Sequence, residues 1–252
     1  YHRALISIDF KPRSNETLSV MGKMIPFGLN RHTPPDRNQM HLPRRLFHAA
    51  SGVGIVIVSS FMETKREFCF FLAALTFLDL MVEGSRFIFP TFNRFVMKTF
   101  QKVVRSGEEH RLSGICYYLL GCLIASIVFP RQIAVLAILF LALGDPIASL
   151  VGLRAGRRRW PEDFGLQKTL EGSLACFAFC AALTFVVSFY FERTSGLPHA
   201  ERFVFAILGG FAAALGELLP LRTDDNFAMP LISGTTLWVT SAFFNLMPGL
   251  YF

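Results

Sequence analysis

Residues 143–177 read LGDPIASLVGLRAGRRRWPEDFGLQKTLEGSLACF. The stretch starts inside a long apolar run, is interrupted at Gly144-Asp145-Pro146, and passes through a cluster of four arginines. It turns apolar again after Lys168-Thr169 and Glu171-Gly172-Ser173. Apolar, basic, apolar is the pattern of two membrane helices joined by a loop on one face. A carboxylate inside an apolar span costs about 2.5–3.5 kcal/mol on insertion scales, which marks Asp145 as a functional residue by default. Pro146 has no N–H and is expected to break the helix beside it. Gly152 and Gly156 permit close backbone approach, and Arg154, Arg157, Arg158 and Arg159 offer charge to an anion such as a polyphosphate. The stretch predicts a nucleotide and a metal at a membrane surface.

The whole chain agrees with a membrane reading. Of its 252 residues, 52% are hydrophobic and only 17% charged, and its mean hydropathy is +0.45. That is too apolar for a soluble domain of this size. Apolar runs at about 46–62, 68–82, 113–129, 131–153, 172–191, 203–220 and 229–252 predict an all-α, polytopic helix bundle with seven transmembrane helices. Several runs fall short of the roughly 20 residues of a full span and require tilt or burial among neighbours. Residues 1–43 are polar, with prolines and no sustained periodicity, and form a tail; residues 44–252 form the membrane-embedded domain. No cleavable signal peptide is expected, since the first apolar run begins near Ala49.

Charge orients this bundle. Seven spans place 20 of the 25 Lys and Arg residues on the side of the N-terminal tail, against five on the other. By the positive-inside rule the N-terminus and the site are cytoplasmic and the C-terminus lies across the membrane. The same rule accounts for the net charge of +7, so no nucleic-acid partner is expected. In the loop after the second run, Phe92, Phe95, Val96, Phe100 and Val103 recur at helical spacing, with Arg94, Lys98, Gln101, Lys102 and Arg105 on other faces. This predicts an amphipathic helix lying in the interface against membrane lipids, although an ordinary surface helix gives the same pattern. Gly209, Gly210, Ala212, Ala213, Ala214 and Gly216 form a small-residue surface for close helix packing. The five cysteines lie in apolar segments without metal spacing and are expected to be core residues.

Polar residues border the apolar runs mainly on the cytoplasmic side. They are Arg44, Arg45 and His48; Glu83 and Arg86; Ser113 and Tyr117; Asp145; Lys168, Glu171 and Ser173; and Glu217, Asp224, Asp225 and Asn226. Their chemistry suits phosphoryl transfer, in which cations neutralise a triphosphate and a hard metal such as Mg²⁺ takes oxygen ligands. Asp145, Asp224 and Asp225 are candidate metal ligands. Lys168, Arg44, Arg45 and Arg157 are candidate phosphate partners, joined by backbone N–H groups around Thr169, Gly172 and Ser173 at a helix N-terminus. One carboxylate near the acceptor could serve as general base. Each has a structural alternative. Arg157–Arg159 could be a topology signal, Glu171 a helix-terminus charge, Glu83 and Arg86 an i,i+3 pair, His48 a satisfied core histidine, and Asp224-Asp225 a solvated turn.

These residues also carry a resemblance. Gly144-Asp145-Pro146-Ile147-Ala148-Ser149, Gly152, Gly156, Lys168-Thr169 and Glu171-Gly172-Ser173 resemble the ordered motifs of the CTP-dependent lipid kinase family. That family groups dolichol and other polyprenol kinases, phytol kinases and CTP-dependent diacylglycerol kinases. Glu217-Leu218-Leu219-Pro220, Asp224-Asp225-Asn226 with Pro230-Leu231, Arg44-Arg45-Leu46-Phe47-His48 and Ser113-Gly114 with Tyr117 and Gly121 are similar as well. The resemblance covers about residues 43–240. It implies transfer of the γ-phosphate of CTP to a lipid alcohol (a polyprenol such as dolichol, a diacylglycerol or phytol) with a divalent metal. On this reading the catalytic candidates are Asp145, Lys168 and Asp225, the nucleotide contacts are Arg44, Arg45 and Gly152, Gly156, Arg157, Lys168, Thr169, Glu171, Gly172 and Ser173, and His48, Glu83, Arg86, Ser113, Tyr117, Glu217 and Asn226 are candidates for the substrate or other roles. Two other readings stand beside it: a cytidylyltransferase making a CDP-lipid, and a transporter using the carboxylates for ions. No second copy of the 144–173 pattern supports the internal repeat common in transporters.

Overall fold

The computed structural model describes residues 42–104, 108–160, 168–190, 197–219, 224–244 and 246. The N-terminal tail through residue 41, Arg105, Pro220 and the end of the last apolar run lie outside the described residues. The described chain is helical throughout its main elements: α1 (Leu42–Ser60), α2 (Lys65–Ile88), α3 (Pro90–Thr99), α4 (Gly114–Val128), α5 (Arg131–Leu139), α6 (Asp145–Ala155), α7 (Leu170–Val187), α8 (His199–Leu218) and α9 (Asp225–Phe243). The expected all-α class holds, and each apolar run contains a helix among the described residues.

Among the described residues, three of the seven expected spans are helices long and apolar enough to cross a membrane: Lys65–Ile88, Arg131–Ala155 and Leu170–Val187. Helix α4 is apolar but shorter; charged or hydroxyl side chains dilute the apolar character of α1, α8 and α9. The Arg131–Ala155 rod is the core of the bundle. In its most apolar window 72% of residues are buried, against 22% and 28% for the other two. Exposed faces of α1, α2 and α8 carry Ile57, Phe70, Phe77, Leu78, Phe203 and Ile207, a surface suited to lipid rather than water.

The expected break at Pro146 does not occur. Residues Phe140–Gly144 instead form a π turn that joins α5 to α6. The N–H of Asp145 bonds to the Phe140 carbonyl, five residues back. The register therefore slips just before the proline, and Pro146, lacking an N–H, leaves no donor unsatisfied. The helix continues, carrying Asp145 and Ser149 on into α6. A second correction concerns α2, which extends to Ile88 rather than ending near residue 82.

Side-chain caps open the helices around the later site. Ser113 accepts from Cys116 N (3.3 Å) at α4, Thr169 from Gly172 N (3.2 Å) at α7, and Asp224 from Asn226 N (3.0 Å) at α9. Such caps replace hydrogen bonds that a helix cannot supply to its own first turn. At the opposite end, the Arg131 guanidinium donates to the carbonyls of Ser59 (2.5 Å), Met62 (2.6 Å) and Glu63 (3.2 Å), tying the end of α1 to α5. The small-residue face of α8 packs on two neighbours, with Gly210 against the Phe177 carbonyl in α7 and Gly216 against the Met229 carbonyl in α9. All five cysteines are free, and all but Cys69 are buried.

Helix α3 covers only the first part of the expected amphipathic stretch, ending at Thr99 with Phe100 and Val103 in the turn that follows; Phe95 is 65% exposed and none of the helix residues is buried. Its anchor is polar. Glu83 and Arg86, both buried in the last turn of α2, pair at 2.5 Å. Arg86 also donates to Asn93 Oδ1 in α3 (3.2 Å) and the Glu108 carbonyl (2.8 Å), while Glu83 accepts from Ser113 N (3.3 Å). The network locks α2, α3 and the start of α4 together.

Candidate active site

One cavity of about 460 Å³ collects side chains from five helices and from the two ends of the 156–169 segment. From α1 come Arg44, Arg45 and His48; from α6, Asp145, Ser149 and Gly152; from α7, Gly172; from α8, Glu217; and from α9, Asp225 and Asn226. Arg159, Lys168 and Thr169 complete the wall. Helix starts and ends meet here because neighbouring helices run antiparallel. The glycines make the wall thin. A Cβ on Gly172 would lie 2.6 Å from the Ala148 carbonyl, so α6 and α7 can touch only with glycine at that position.

Charge in the cavity is mixed and partly unmet. Lys168 Nζ donates to the main-chain carbonyl of Glu217 and lies 3.4 Å from Glu217 Oε1 and 3.8 Å from Asp225 Oδ2. The Glu217 carboxylate, 6% exposed, also accepts from the Ser173 hydroxyl at 3.1 Å. Arg45 Nη2 donates to Ser149 Oγ at 2.7 Å. Its other terminal nitrogen, Nη1, is buried with no hydrogen-bond partner among the described residues. A buried guanidinium N–H without an acceptor is costly, and a phosphate oxygen would satisfy it. His48 Nε2 bonds to the Leu141 carbonyl at 3.1 Å. That oxygen can only accept, so Nε2 carries the hydrogen and the basic nitrogen of the neutral ring is Nδ1.

The donor set also suits a hard cation shared with a ligand. Asp145, Glu217 and Asp225 all line one cavity, yet no group of three or more metal-binding side chains lies close enough to form a cage among the described residues. Mg²⁺ binds in that way, through one or two carboxylates plus phosphate oxygens and water. Asp224, expected beside Asp145 and Asp225, does not line the cavity and instead caps α9 through its side chain.

Other expected residues fall elsewhere. Arg157 and Glu171 line a separate recess with Arg154 and Arg158. The Glu171 carboxylate accepts from Arg158 N at 3.2 Å, holding the segment after α6. Gly156 packs against Thr169, and Ser173 sits beneath the cavity on Glu217. Glu83, Arg86 and Ser113 belong to the anchor of α3, and Tyr117 is half-buried on α4 outside the cavity wall. Ser149 was not anticipated as a site residue, although its place four residues after Asp145 puts both on one helix face. Arg159 reaches the cavity because the segment is extended there, paired with Thr169. Alternation along an extended chain sends neighbouring arginines to opposite sides.

Comparison with known proteins bears on the same question. The chain is 30% identical to CTP-dependent diacylglycerol kinase 1 of Schizosaccharomyces pombe over 160 residues, covering 61% of this chain and 72% of that protein. It is 25% identical to CTP-dependent diacylglycerol kinase 1 of Saccharomyces cerevisiae over 207 residues, covering 76% and 70%. It is 28% identical to a probable chloroplastic phytol kinase 1 of Glycine max over 212 residues, covering 80% and 68%. No family model matches the chain. No solved structure matches it either. The motifs around Asp145 and Lys168 and these relatives converge: the chain belongs to the CTP-dependent lipid kinase family.

Proposed function

We propose that this chain is an integral-membrane kinase that transfers the γ-phosphate of CTP to the hydroxyl of a lipid alcohol. The observation that carries the reading is the unmet Arg45 Nη1 in a cavity where Lys168, Asp145 and Asp225 converge. The names of the relatives supply the nucleotide and the acceptor class: diacylglycerol or an isoprenoid alcohol such as phytol.

In this mechanism Arg44, Arg45, Arg159 and Lys168 hold the triphosphate, while Gly152 and Gly172 let α6 pack closely against Thr169 and α7 to form the wall behind it. Asp145 and Asp225 would hold a divalent cation such as Mg²⁺, which would neutralise phosphate charge there. The acceptor oxygen attacks the γ-phosphorus as the bond from that phosphorus to the β,γ-bridging oxygen breaks. CDP leaves with the bridging oxygen, and the hydroxyl proton passes to His48. Glu217 is a positioning residue that holds Lys168. With the site-bearing helix ends on the arginine-rich side, the site opens to the cytoplasm and residues 1–43 lie outside the membrane.

The test is a transfer assay on purified protein in detergent with Mg²⁺. Labelled CTP or ATP is offered separately with diacylglycerol, phytol, farnesol, dolichol and undecaprenol. Label passing from CTP into one of these lipids is the expected result. Transfer from ATP alone overturns the nucleotide, and transfer to no lipid overturns the function.

A further inference from the structure

A second cavity, of about 340 Å³, lies beside the first. It separates α1 from α2: α1 packs on the central rod, α2 packs on α3 and α4, and the two barely touch each other. Its walls are apolar, formed by Phe47, Ile55, Val58, Phe71, Leu75 and Leu119. The two cavities share Arg44, His48 and Asn226. At this rim a Cβ on Gly114 would lie 3.2 Å from Asn226 Nδ2, 3.5 Å from Glu108 Oε1 and 3.7 Å from Arg44 Nη2. Three polar side chains thus converge where the apolar wall gives way to the charged one. Tyr118, 4% exposed, stands edge-on to His48 with ring centroids 4.6 Å apart. Its hydroxyl has no hydrogen-bond partner among the described residues.

We propose that this second cavity holds the hydrocarbon tail of the acceptor, with the hydroxyl end at the Arg44–His48–Asn226 rim and the tail between α1 and α2. The proposal rests on the lipid-alcohol kinase reading above. An apolar chamber that shares its rim with a charged one fits an amphiphile; water would gain few hydrogen bonds on the apolar side. Its volume lies within the roughly 300–1,000 Å³ of ordinary ligand sites. Val58 and Phe47, on its wall, are also exposed at 40% and 39%, so the chamber borders the surface that faces lipid. A tail can therefore reach it sideways from the bilayer.

Gly54 sets the width of this chamber. It lines the cavity, and a Cβ added there meets nothing within 4 Å. Gly52 differs, because a Cβ there would collide with the Tyr118 hydroxyl and Ala142. A Cβ at position 54 thus takes up tail space without displacing a neighbour.

The experiment compares Gly54→Phe and Gly54→Leu with the parent in the full chain. It measures transfer from CTP to a long-tailed acceptor and to a short-tailed one with the same headgroup. In parallel, a lipid alcohol carrying a diazirine in its tail is photo-crosslinked and the attachment sites are mapped. Gly54→Phe should lower kcat/KM for the long-tailed acceptor by about tenfold or more, the scale of discrimination that an apolar pocket reaches. KM for CTP should stay constant, and the short-tailed acceptor should change less than about twofold, well under that pocket scale. Crosslinks should fall on α1, α2 and α4 in the parent and disappear in Gly54→Phe. Equal loss for both tail lengths, or unchanged long-tail turnover and crosslinking, would overturn the tail site and leave the kinase reading intact. A parent that transfers nothing from CTP but crosslinks in a Gly54-sensitive manner would keep the tail site and overturn the kinase.

Discussion

Lys168 Nζ lies 3.4 Å from Glu217 Oε1, joining the segment before α7 to the last turn of α8 where Glu217 is almost wholly buried. The same nitrogen is 3.8 Å from Asp225. One cation therefore stands between a structural carboxylate and one that faces the cavity. Removing it should damage both stability and chemistry. Lys168→Met is expected to abolish transfer and to destabilise the protein by at least about 1–3 kcal/mol, since a buried acceptor left unmet costs that much and a charged one more. Lys168→Met combined with Glu217→Gln should recover most of that stability and none of the activity. Thermal denaturation in detergent alongside turnover checks both.

Asp145 sits in α6 immediately after the π turn, where its carboxylate lines the cavity. Asp145→Asn keeps the shape and removes the charge. Turnover should fall at least about a hundredfold, the scale of one lost preorganised electrostatic partner, with an unchanged melting temperature. Near-normal turnover would remove Asp145 from the metal and phosphate machinery.

Arg45 offers a planar fork, with one arm on Ser149 and the other unmet. Lysine keeps the charge but cannot occupy both positions. Arg45→Lys should raise KM for CTP about tenfold or more, corresponding to a charged hydrogen bond of roughly 1.5–3 kcal/mol, with a smaller effect on the lipid KM. Initial rates with each substrate varied in turn separate the two.

His48 touches both cavities and is fixed by the Leu141 carbonyl. His48→Gln should lower kcat by about a hundredfold or more, in the range of general-base catalysis. KM for CTP should be nearly unchanged. A pure KM effect would make His48 a binding residue instead.

The Glu83–Arg86 pair is buried and does not line the first cavity. Arg86→Met leaves an unpaired buried carboxylate and should cost about 3–5 kcal/mol. In whatever fraction stays folded, KM for CTP should be that of the parent. A selective rise in KM would bring Arg86 back to the substrate side.

How far the sequence reached follows from which interactions are local. Asp145, Gly152, Lys168 and Thr169 were legible because their motifs lie on short stretches that fold into the same wall. The helix through Pro146 was not, because a π turn depends on bonds five residues apart that no apolar pattern records. The length of α2 was missed because Glu83 and Arg86 look like a polar boundary until each neutralises the other inside the helix. Among the arginines, Arg159 rather than Arg157 reaches the cavity, a choice made by the Arg159–Thr169 pairing across a loop. Asp224 looks like a ligand in a line of acidic residues, and only its bond to Asn226 N identifies a cap.

The decisive experiment places label in either the α- or the γ-phosphate of CTP and follows it into the lipid fraction, with Asp145→Asn run beside the parent protein. A kinase built on Asp145 and Lys168 moves γ-label into lipid, leaves α-label in CDP, and loses transfer in the variant. Lipid carrying α-label, with pyrophosphate released, would contradict it and identify a cytidylyltransferase.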